Sequence, residues 1–184
     1  MIECLSEVEI ERMKLAGRLV HEALEKAKQI ALPGISTKEI DERMAELVIS
    51  QGGELAFKGY QGYPANTCIS VNCEVVHGIP SERKLKEGDI VSIDIGVKKE
   101  GFYADGAITV AVGKITKKAQ ELLNVTKRCL ELAIEIVRPG IALYKISEVI
   151  QRHAESHGFS VVKDFVGHGI GRRLHQDPKI PNYV

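Results

Sequence analysis

Residues 89–110, DIVSIDIGVKKEGFYADGAITV, contain two apolar runs that flank a polar turn, KKEG. β-Branched and aromatic residues recur in both runs, which is typical of two antiparallel strands joined by a hairpin. Each run carries one aspartate near its middle, Asp94 and Asp105. Aspartate is a poor strand former and is rarely buried without a partner. The stretch therefore predicts a β-hairpin and raises the question of why it carries two carboxylates.

The spacing of the aspartates predicts a hairpin register. With the turn centred between Lys99 and Glu100, Asp94 lies directly opposite Asp105, with Cβ atoms roughly 5 Å apart. A longer loop or a bulge shifts the pairing by one or two residues but leaves the carboxylates near each other. Alternation gives the first strand a polar face and a core face, which are Ser92, Asp94 and Gly96 against Ile93, Ile95 and Val97.

Two facing carboxylates repel each other, and three arrangements relieve this repulsion. The pair is exposed to solvent, or one member is protonated, or a divalent cation lies between the two. The apolar neighbours Ile93, Ile95, Tyr103 and Ile108 fit poorly with an exposed pair. At this point all three arrangements remain open, and the metal site is the favoured one.

The chain contains an internal repeat at an offset of 106 residues. Leu24 aligns with Leu130, and Pro33-Gly34-Ile35 aligns with Pro139-Gly140-Ile141. In each copy a long helix ends at the P-G-I break, a second helix follows, and the pattern then changes to strand. The predicted helices are 7–31, 36–51, 116–137 and 142–157, and the predicted strands after them are 65–76 and 159–166.

This pattern favours an α+β fold with a pseudo-twofold axis, in which a mostly antiparallel sheet has its helices on one face. Two related halves commonly meet over a shared cleft, so polar groups from both halves are expected to converge there.

Composition excludes several classes of protein. The 184 residues include 25 Lys and Arg and 25 Asp and Glu, so there is no excess of basic residues for broad nucleic-acid binding. No apolar run approaches the roughly 20 residues of a membrane helix, and the charged N-terminus lacks a signal-peptide core. The 4 cysteines form no C-x-x-C pair. We therefore expect a cytoplasmic protein with neither nucleic-acid nor membrane partners, in which Cys68 and Cys73 are reduced cysteines packed in a strand.

Three histidines lie in unusual surroundings. His77 begins the turn H-G-I-P, and His168 and His175 belong to residues 167–178, GHGIGRRLHQDP. No helix pattern follows the glycines of this run, which disfavours a dinucleotide fingerprint. Two aspartates and a neutral imidazole would form a mixed oxygen and nitrogen site, which suits Mn, Fe, Co or Zn better than Ca. His175 is a further ligand, a hydrogen-bond donor to a substrate, or a histidine of a surface loop.

These residues together resemble a known family. The order S-V-N-x-x-x-x-H-G-I-P, G-D-I-V-x-I-D-x-G, G-F-x-x-D and V-G-H-G-I-G-R-x-x-H-x-x-P is similar to type I methionine aminopeptidases of the short bacterial form. The resemblance implies the pita-bread fold and removal of the initiator methionine from nascent proteins, with two divalent metal ions. It further implies a cytoplasmic monomer that works in transient proximity to the ribosome.

The resemblance also assigns roles to residues. Asp94, Asp105 and His168 fall on the family's metal ligands. His77 and His175 fall on the two histidines that contact substrate and take part in catalysis. The methionine pocket would be lined by Phe57, Tyr60, Tyr63, Cys68 and Leu174.

The chain departs from the family at its C-terminus. The family has two further ligands, both glutamates, in segments that would lie after Val184. We therefore expect residues 1–184 to be a single catalytic domain that is incomplete at its C-terminus, with a first half of about 1–113 and a second half of about 114–184. With three ligands instead of five, this stretch alone is expected to bind one metal weakly and to have little activity.

Two alternatives remain open at the level of sequence. A proline-specific aminopeptidase of the same fold would use similar chemistry. A non-catalytic pita-bread binding module would usually lack the metal ligands, so the presence of Asp94, Asp105 and His168 disfavours it.

Overall fold

The computed structural model describes residues 2–184. The α-helices of this range are Glu7–Ile30 (α1), Thr37–Ser50 (α2), Lys117–Ile136 (α3) and Tyr144–Ser156 (α4). Its strands are Glu54–Leu55 (β1), Thr67–Val71 (β2), Ile90–Lys99 (β3), Phe102–Ala111 (β4), Gly167–Gly169 (β5) and Gln176–Ile180 (β6). Among these residues, none of the helices has both the length and the apolar character needed to cross a membrane.

The chain divides into two compact units. The N-terminal unit comprises residues 3–115 together with a short later segment, 170–174. The C-terminal unit comprises residues 116–169 and 175–184, and residue 2 is grouped with it. The chain thus leaves the C-terminal unit after Gly169 and returns to it at His175.

The four predicted helices are confirmed to within two residues at each end. Side-chain caps define the starts of α1, α2 and α3. The Ser6 hydroxyl accepts a hydrogen bond from the backbone of Glu9, whose carboxylate accepts one from the backbone of Ser6 in return. The hydroxyls of Ser36 and Thr116 accept hydrogen bonds from the backbones of Glu39 and Ala119 at the starts of α2 and α3. Such caps satisfy backbone donors that would otherwise lack partners in the first turn.

Strand β3 is the centre of the sheet in the N-terminal unit. It pairs along one edge with β4 and along the other with β2 and β1, and every pairing is antiparallel. Helix α1 packs against β3 and β4 through its buried face. The buried residues of that face are Ala16, Leu19, Val20, Ala23, Leu24 and Ala27. This arrangement confirms the predicted α+β class.

The predicted hairpin is present, but its register differs from the expected one. Asp94 faces Ala107, and Asp105 faces Gly96, so the aspartates are not directly opposite. The turn is centred on Glu100 and Gly101, both of which have positive φ, 51° and 81°. A two-residue turn of this kind favours glycine, which Lys99-Glu100 could not have supplied. When the turn moves by one residue along the chain, each residue of β3 faces a residue of β4 two positions further along. Asp94 therefore faces Ala107 instead of Asp105.

The strand predicted at 65–76 is shorter than expected. Strand β2 ends at Val71, and Asn72 follows with a φ of 60° at the start of a turn. Cys68 is buried within the strand, whereas Cys73 lies exposed beyond its end. The expectation of a packed cysteine is therefore wrong for Cys73.

The strand predicted at 159–166 is absent from the described residues, and this prediction is wrong. Phe159 and Val161 instead pack against the small core between α3 and α4, formed by Val125, Cys129 and Ala154. The strand begins only at Gly167, where β5 pairs with β6. Phe159 and Val161 therefore serve helix packing rather than a sheet, whereas Val162 and Phe165 are exposed.

The repeat also shows where the two units differ. Leu24 on α1 is 8% exposed because the sheet covers it, whereas its repeat partner Leu130 on α3 is 60% exposed. Ile134 on the same helix and Val137, directly after its end, are similarly exposed. Within the described residues of the C-terminal unit, no sheet covers α3 as β3 and β4 cover α1.

The turn gives a test of the observed register. Gly101→Ala should destabilise the protein by about 1 kcal/mol, because alanine is strained at a φ of 81°. The control is Gly17→Ala in α1, where nothing lies within 4 Å of an added Cβ and alanine should stabilise the helix by about 1 kcal/mol. Urea unfolding followed by circular dichroism measures both. Effects of the same sign would contradict the observed turn.

Candidate metal and substrate site

Asp94 and Asp105 lie on one face of the β3–β4 hairpin. Asp94 faces Ala107, which is two residues from Asp105 on β4, and Asp105 faces Gly96, which is two residues from Asp94 on β3. The two aspartates are therefore diagonal neighbours. Diagonal neighbours have Cα atoms roughly 7–8 Å apart, and their side chains point to the same face. Both aspartates are half-buried. Ile93 and Ile95, which flank Asp94 on β3, are buried on the opposite face. The core therefore fixes the direction in which both carboxylates point.

The surroundings of this pair fit a divalent cation. The same face carries the small residues Gly96 and Ala107 directly across from the aspartates. Ala107 is exposed and leaves the surface opposite Asp94 open, whereas the ring of Phe57 covers Gly96. Two half-buried carboxylates in reach of each other favour a bound positive charge. Within the described residues of the N-terminal unit, no third His, Cys, Asp or Glu side chain joins them to make a group of three ligands.

Cys68 lies beside Asp94 on the neighbouring strand β2. Burial raises the pKa of its thiol to about 11, and the negative charge of Asp94 contributes to the rise. Cys68 therefore stays protonated at neutral pH, where the thiolate would be needed for metal binding. It contributes a soft, apolar wall next to the carboxylates.

Phe57 lies against the hairpin at Gly96, the residue that faces Asp105. A Cβ added to Gly96 would lie 2.5 Å from Cε1 of the phenylalanine ring. Glycine is therefore required at this point for the ring to approach the strand. The predicted pocket residue is thus placed next to the aspartate pair.

The other predicted pocket residues differ in burial. Leu174 is buried and Tyr60 is exposed. The hydroxyl of Tyr63 lies 3.0 Å from the carbonyl oxygens of both Thr67 and Gly78, to which it donates. Burial raises the pKa of Tyr63 well above its usual range, so the hydroxyl remains a donor. Tyr63 thereby links the start of β2 to the turn that carries His77.

His77 is exposed and has a positive φ of 61°. This conformation is uncommon for any residue other than glycine and persists only where neighbouring structure holds it. The next residue, Gly78, is hydrogen-bonded to β2 through both its N–H and its carbonyl. The backbone on the C-terminal side of His77 is therefore fixed to the sheet.

His168 and His175 lie together in the C-terminal unit, with ring centroids 4.2 Å apart. Nδ1 of His168 is 3.0 Å from the carbonyl oxygen of Gly169. In the tautomer that carries the proton on Nδ1, this atom donates to the carbonyl, and Nε2 presents its lone pair, as in histidines that ligate metals. The convergence of His168 with Asp94 and Asp105 on one metal stays a prediction from the sequence.

The segment between these histidines, 170–174, belongs to the N-terminal unit. The carbonyl of Gly171 accepts a hydrogen bond of 2.7 Å from the backbone N–H of Tyr103 on β4. Arg172 pairs with Glu3 at 2.8 Å and donates to Glu9 through Nε and Nη2. Hydrogen bonds from Ser6 and then from Arg172 lower the pKa of Glu9 to about 2. The carboxylate of Glu9, which takes part in the cap of α1, thus also binds the segment 170–174 through Arg172.

Comparison with known proteins places these features in a family. Residues 11–183 match metallopeptidase family M24. A methionine aminopeptidase of Clostridium perfringens is 45% identical over 183 residues, which are 100% of this chain and 74% of that protein. Methionine aminopeptidase 1 of Bacillus subtilis is 46% identical with the same coverage.

Solved structures agree with the sequence relatives. The crystal structure of a methionine aminopeptidase from Thermotoga maritima has a TM-score of 0.97 and 46% identity, and the match covers 100% of this chain and 74% of that one. A prolidase from Pyrococcus furiosus has a TM-score of 0.85 at 24% identity, covers 97% of this chain and 52% of that one, and shows the fold alone. The predicted pita-bread fold is confirmed.

Asp41 is a supporting residue that the sequence did not single out. It lies on α2 with 6% of its surface exposed. Its carboxylate accepts hydrogen bonds from the backbone and side chain of Asn66 and from those of Thr67, at 2.7–3.1 Å. Asp41 therefore fixes the first residues of β2, directly before Cys68. A lone aspartate in a helix pattern gives no signal of partners 25 residues away.

Removal of this carboxylate should loosen the start of β2. Asp41→Ala is expected to destabilise the protein by about 3 kcal/mol, because buried donors of Thr67 lose their acceptor. The control is Glu42→Ala at the next, exposed position, with an expected change within about 0.5 kcal/mol. Urea unfolding compares the two. Equal effects would show that the Asp41 hydrogen bonds do not hold the strand.

Proposed function

We propose that this chain removes N-terminal methionine from peptides by hydrolysis, and the premise is its family: the chain belongs to metallopeptidase family M24 and, within it, to the methionine aminopeptidases. The observation that carries the proposal is the pair Asp94 and Asp105, half-buried on one face of a hairpin whose other face is core. The enzyme class is a metalloexopeptidase.

Asp94, Asp105 and His168 are the proposed metal ligands. The diagonal spacing of the two aspartates and their shared position on the face opposite the core support this role. The mixed oxygen and nitrogen donors suit Co, Mn, Fe or Zn, and the proposal includes two ions. When bound, such ions activate water near neutral pH and polarise the scissile carbonyl.

His77 and His175 are proposed to contact the substrate and to act in catalysis. Both imidazoles are exposed, so a peptide can reach them. His175 would donate a hydrogen bond to the carbonyl oxygen as negative charge develops there. His77 would hydrogen-bond the amide around the scissile bond. Each role requires an imidazole whose backbone is held in place before the peptide arrives.

The methionine side chain is proposed to enter a pocket lined by Phe57, Tyr60, Tyr63, Cys68 and Leu174. Phe57 lies against Gly96, the residue that faces Asp105, and Cys68 faces Asp94 on the neighbouring strand. Aromatic rings and a protonated thiol are suitable contacts for a thioether, which interacts favourably with ring edges. The pocket would thus select methionine next to the hydrolytic centre.

The wider setting is also a proposal. Residues of about 1–113 and 114–184 would act as two halves of one catalytic domain. The substrates would be nascent polypeptides, met in the cytoplasm in transient proximity to the ribosome, and the enzyme would work as a monomer. The family relationship supports the peptide substrate with its N-terminal methionine.

Hydrolysis of the peptide Met-Ala-Ser tests the function in the protein purified as the cell makes it. Mn(II) or Co(II) should be required for release of methionine, and chelation should abolish the release. Asp105→Asn should lower kcat/KM at least about 100-fold through loss of a carboxylate ligand. Asp164→Asn, an exposed aspartate of the C-terminal unit, serves as the control and should change kcat/KM less than about twofold.

Two results would overturn the proposal in favour of a named alternative. Preferential cleavage of Xaa-Pro peptides over Met-Ala-Ser would indicate a proline-specific aminopeptidase. Absence of both metal binding and cleavage would indicate a binding module of the same fold.

A further inference from the structure

The turn that carries His77 is attached to strand β2 at the next residue, Gly78. The carbonyl of Gly78 accepts a hydrogen bond of 2.8 Å from the backbone N–H of Ile69 and another of 3.0 Å from the hydroxyl of Tyr63. Its own N–H donates to Oγ of Ser70 at 3.1 Å. The N–H of Gly78 is therefore bound to β2, and its carbonyl is bound both to β2 and to Tyr63, which itself contacts β2.

Gly78 also lies unusually close to the strand. A Cβ added to it would be 2.2 Å from the carbonyl oxygen of Ile69 and 2.9 Å from Cα of Ser70. No side chain can be accommodated at such distances from backbone atoms. The close approach is what brings the Gly78 N–H within reach of the short Ser70 side chain.

Ser70 is suited to hold this contact. It is 3% exposed and lies in the middle of β2, where it pairs with Ser92 of β3. Ser70 is on the same face of the sheet as its partner Ser92, and Ser92 and Asp94 are two residues apart on β3. Because side chains alternate along a strand, Ser70 and Asp94 share one face. The hydroxyl therefore connects the His77 turn to the strand pair that carries the proposed ligand.

The backbone of His77 needs such support. Its φ of 61° is disfavoured for a residue with a side chain, and a free turn would relax away from it. Fixing the following N–H to a buried acceptor restricts the peptide plane that joins His77 to Gly78. The direction in which the imidazole leaves the chain is restricted with it.

We propose that Ser70 is a positioning residue that orients His77 toward the peptide substrate through the Gly78 N–H. The proposal rests on the function proposed above, in which His77 contacts the substrate. Ser70 itself does not touch the reacting atoms and acts only through the orientation of His77. Loss of its hydroxyl should therefore impair the chemical step more than the fold.

Amide hydrogen exchange tests the attachment without any assay of activity. Ser70→Ala should raise the exchange rate of the Gly78 N–H at least about tenfold, because this donor loses its acceptor. Ser70→Thr keeps the hydroxyl and should restore slow exchange. Ser92→Ala is the matched control, since Ser92 lies on the neighbouring strand and bonds Thr109 instead. It should leave the Gly78 rate within about twofold.

Peptide hydrolysis tests the positioning role in the same variants. Ser70→Ala should lower kcat for Met-Ala-Ser about tenfold with little change in KM, and Ser70→Thr should recover most of the loss. In a His77→Ala background, Ser70→Ala should cause no further loss, because its effect passes through His77. A role in stability alone would lower activity equally in both backgrounds.

The possible failures are distinguishable. An unchanged Gly78 exchange rate in Ser70→Ala would overturn the attachment, and faster exchange with unchanged kcat would overturn the positioning role. Equal losses with and without His77 would overturn it as well. Absence of methionine release by the parent protein would instead overturn the proposed function, while the exchange measurement still decides the attachment.

Discussion

The pairing of β3 with β4 is the constraint on which the rest of the N-terminal unit depends. One face of this pair is buried against α1, and the other presents Asp94 and Asp105. A shift of the register by one residue would turn the carboxylates into the core and the isoleucines outward, at a cost that the fold could not sustain. Hydrophobic burial on one face therefore holds the carboxylates together on the other.

The same pairing explains the neighbours of the two aspartates. Strand β2 adds Cys68 beside Asp94, and Gly96 admits Phe57 next to Asp105. Like charges at this spacing repel each other in the absence of a cation. In the proposed site, a bound divalent ion would offset that repulsion. Helix α2 supports the arrangement through Asp41, which fixes the start of β2.

Much of the fold could be predicted because its signals are local. The helix from Glu7 was predicted from the P-G-I break that follows it, and the repeat revealed its counterpart, α3. The register of the hairpin was missed by two positions, because the turn was placed at Lys99-Glu100, whereas the requirement for positive φ places it at Glu100-Gly101. The apolar residues after Gly158 suggested a strand, but Phe159 packs on helices that are distant in sequence. Asp41 was missed for the same reason, since its partners are non-local.

The central claim is that Asp94 and Asp105 bind a divalent metal, and titration with Co(II) tests it most directly. Visible absorption of the bound ion, measured on the protein as the cell makes it, should saturate in the parent protein. Asp94→Asn and Asp105→Asn should each weaken this binding at least about tenfold, whereas Asp164→Asn should leave it unchanged. Saturable binding of equal strength in the parent and in both variants would show that these carboxylates are not the ligands.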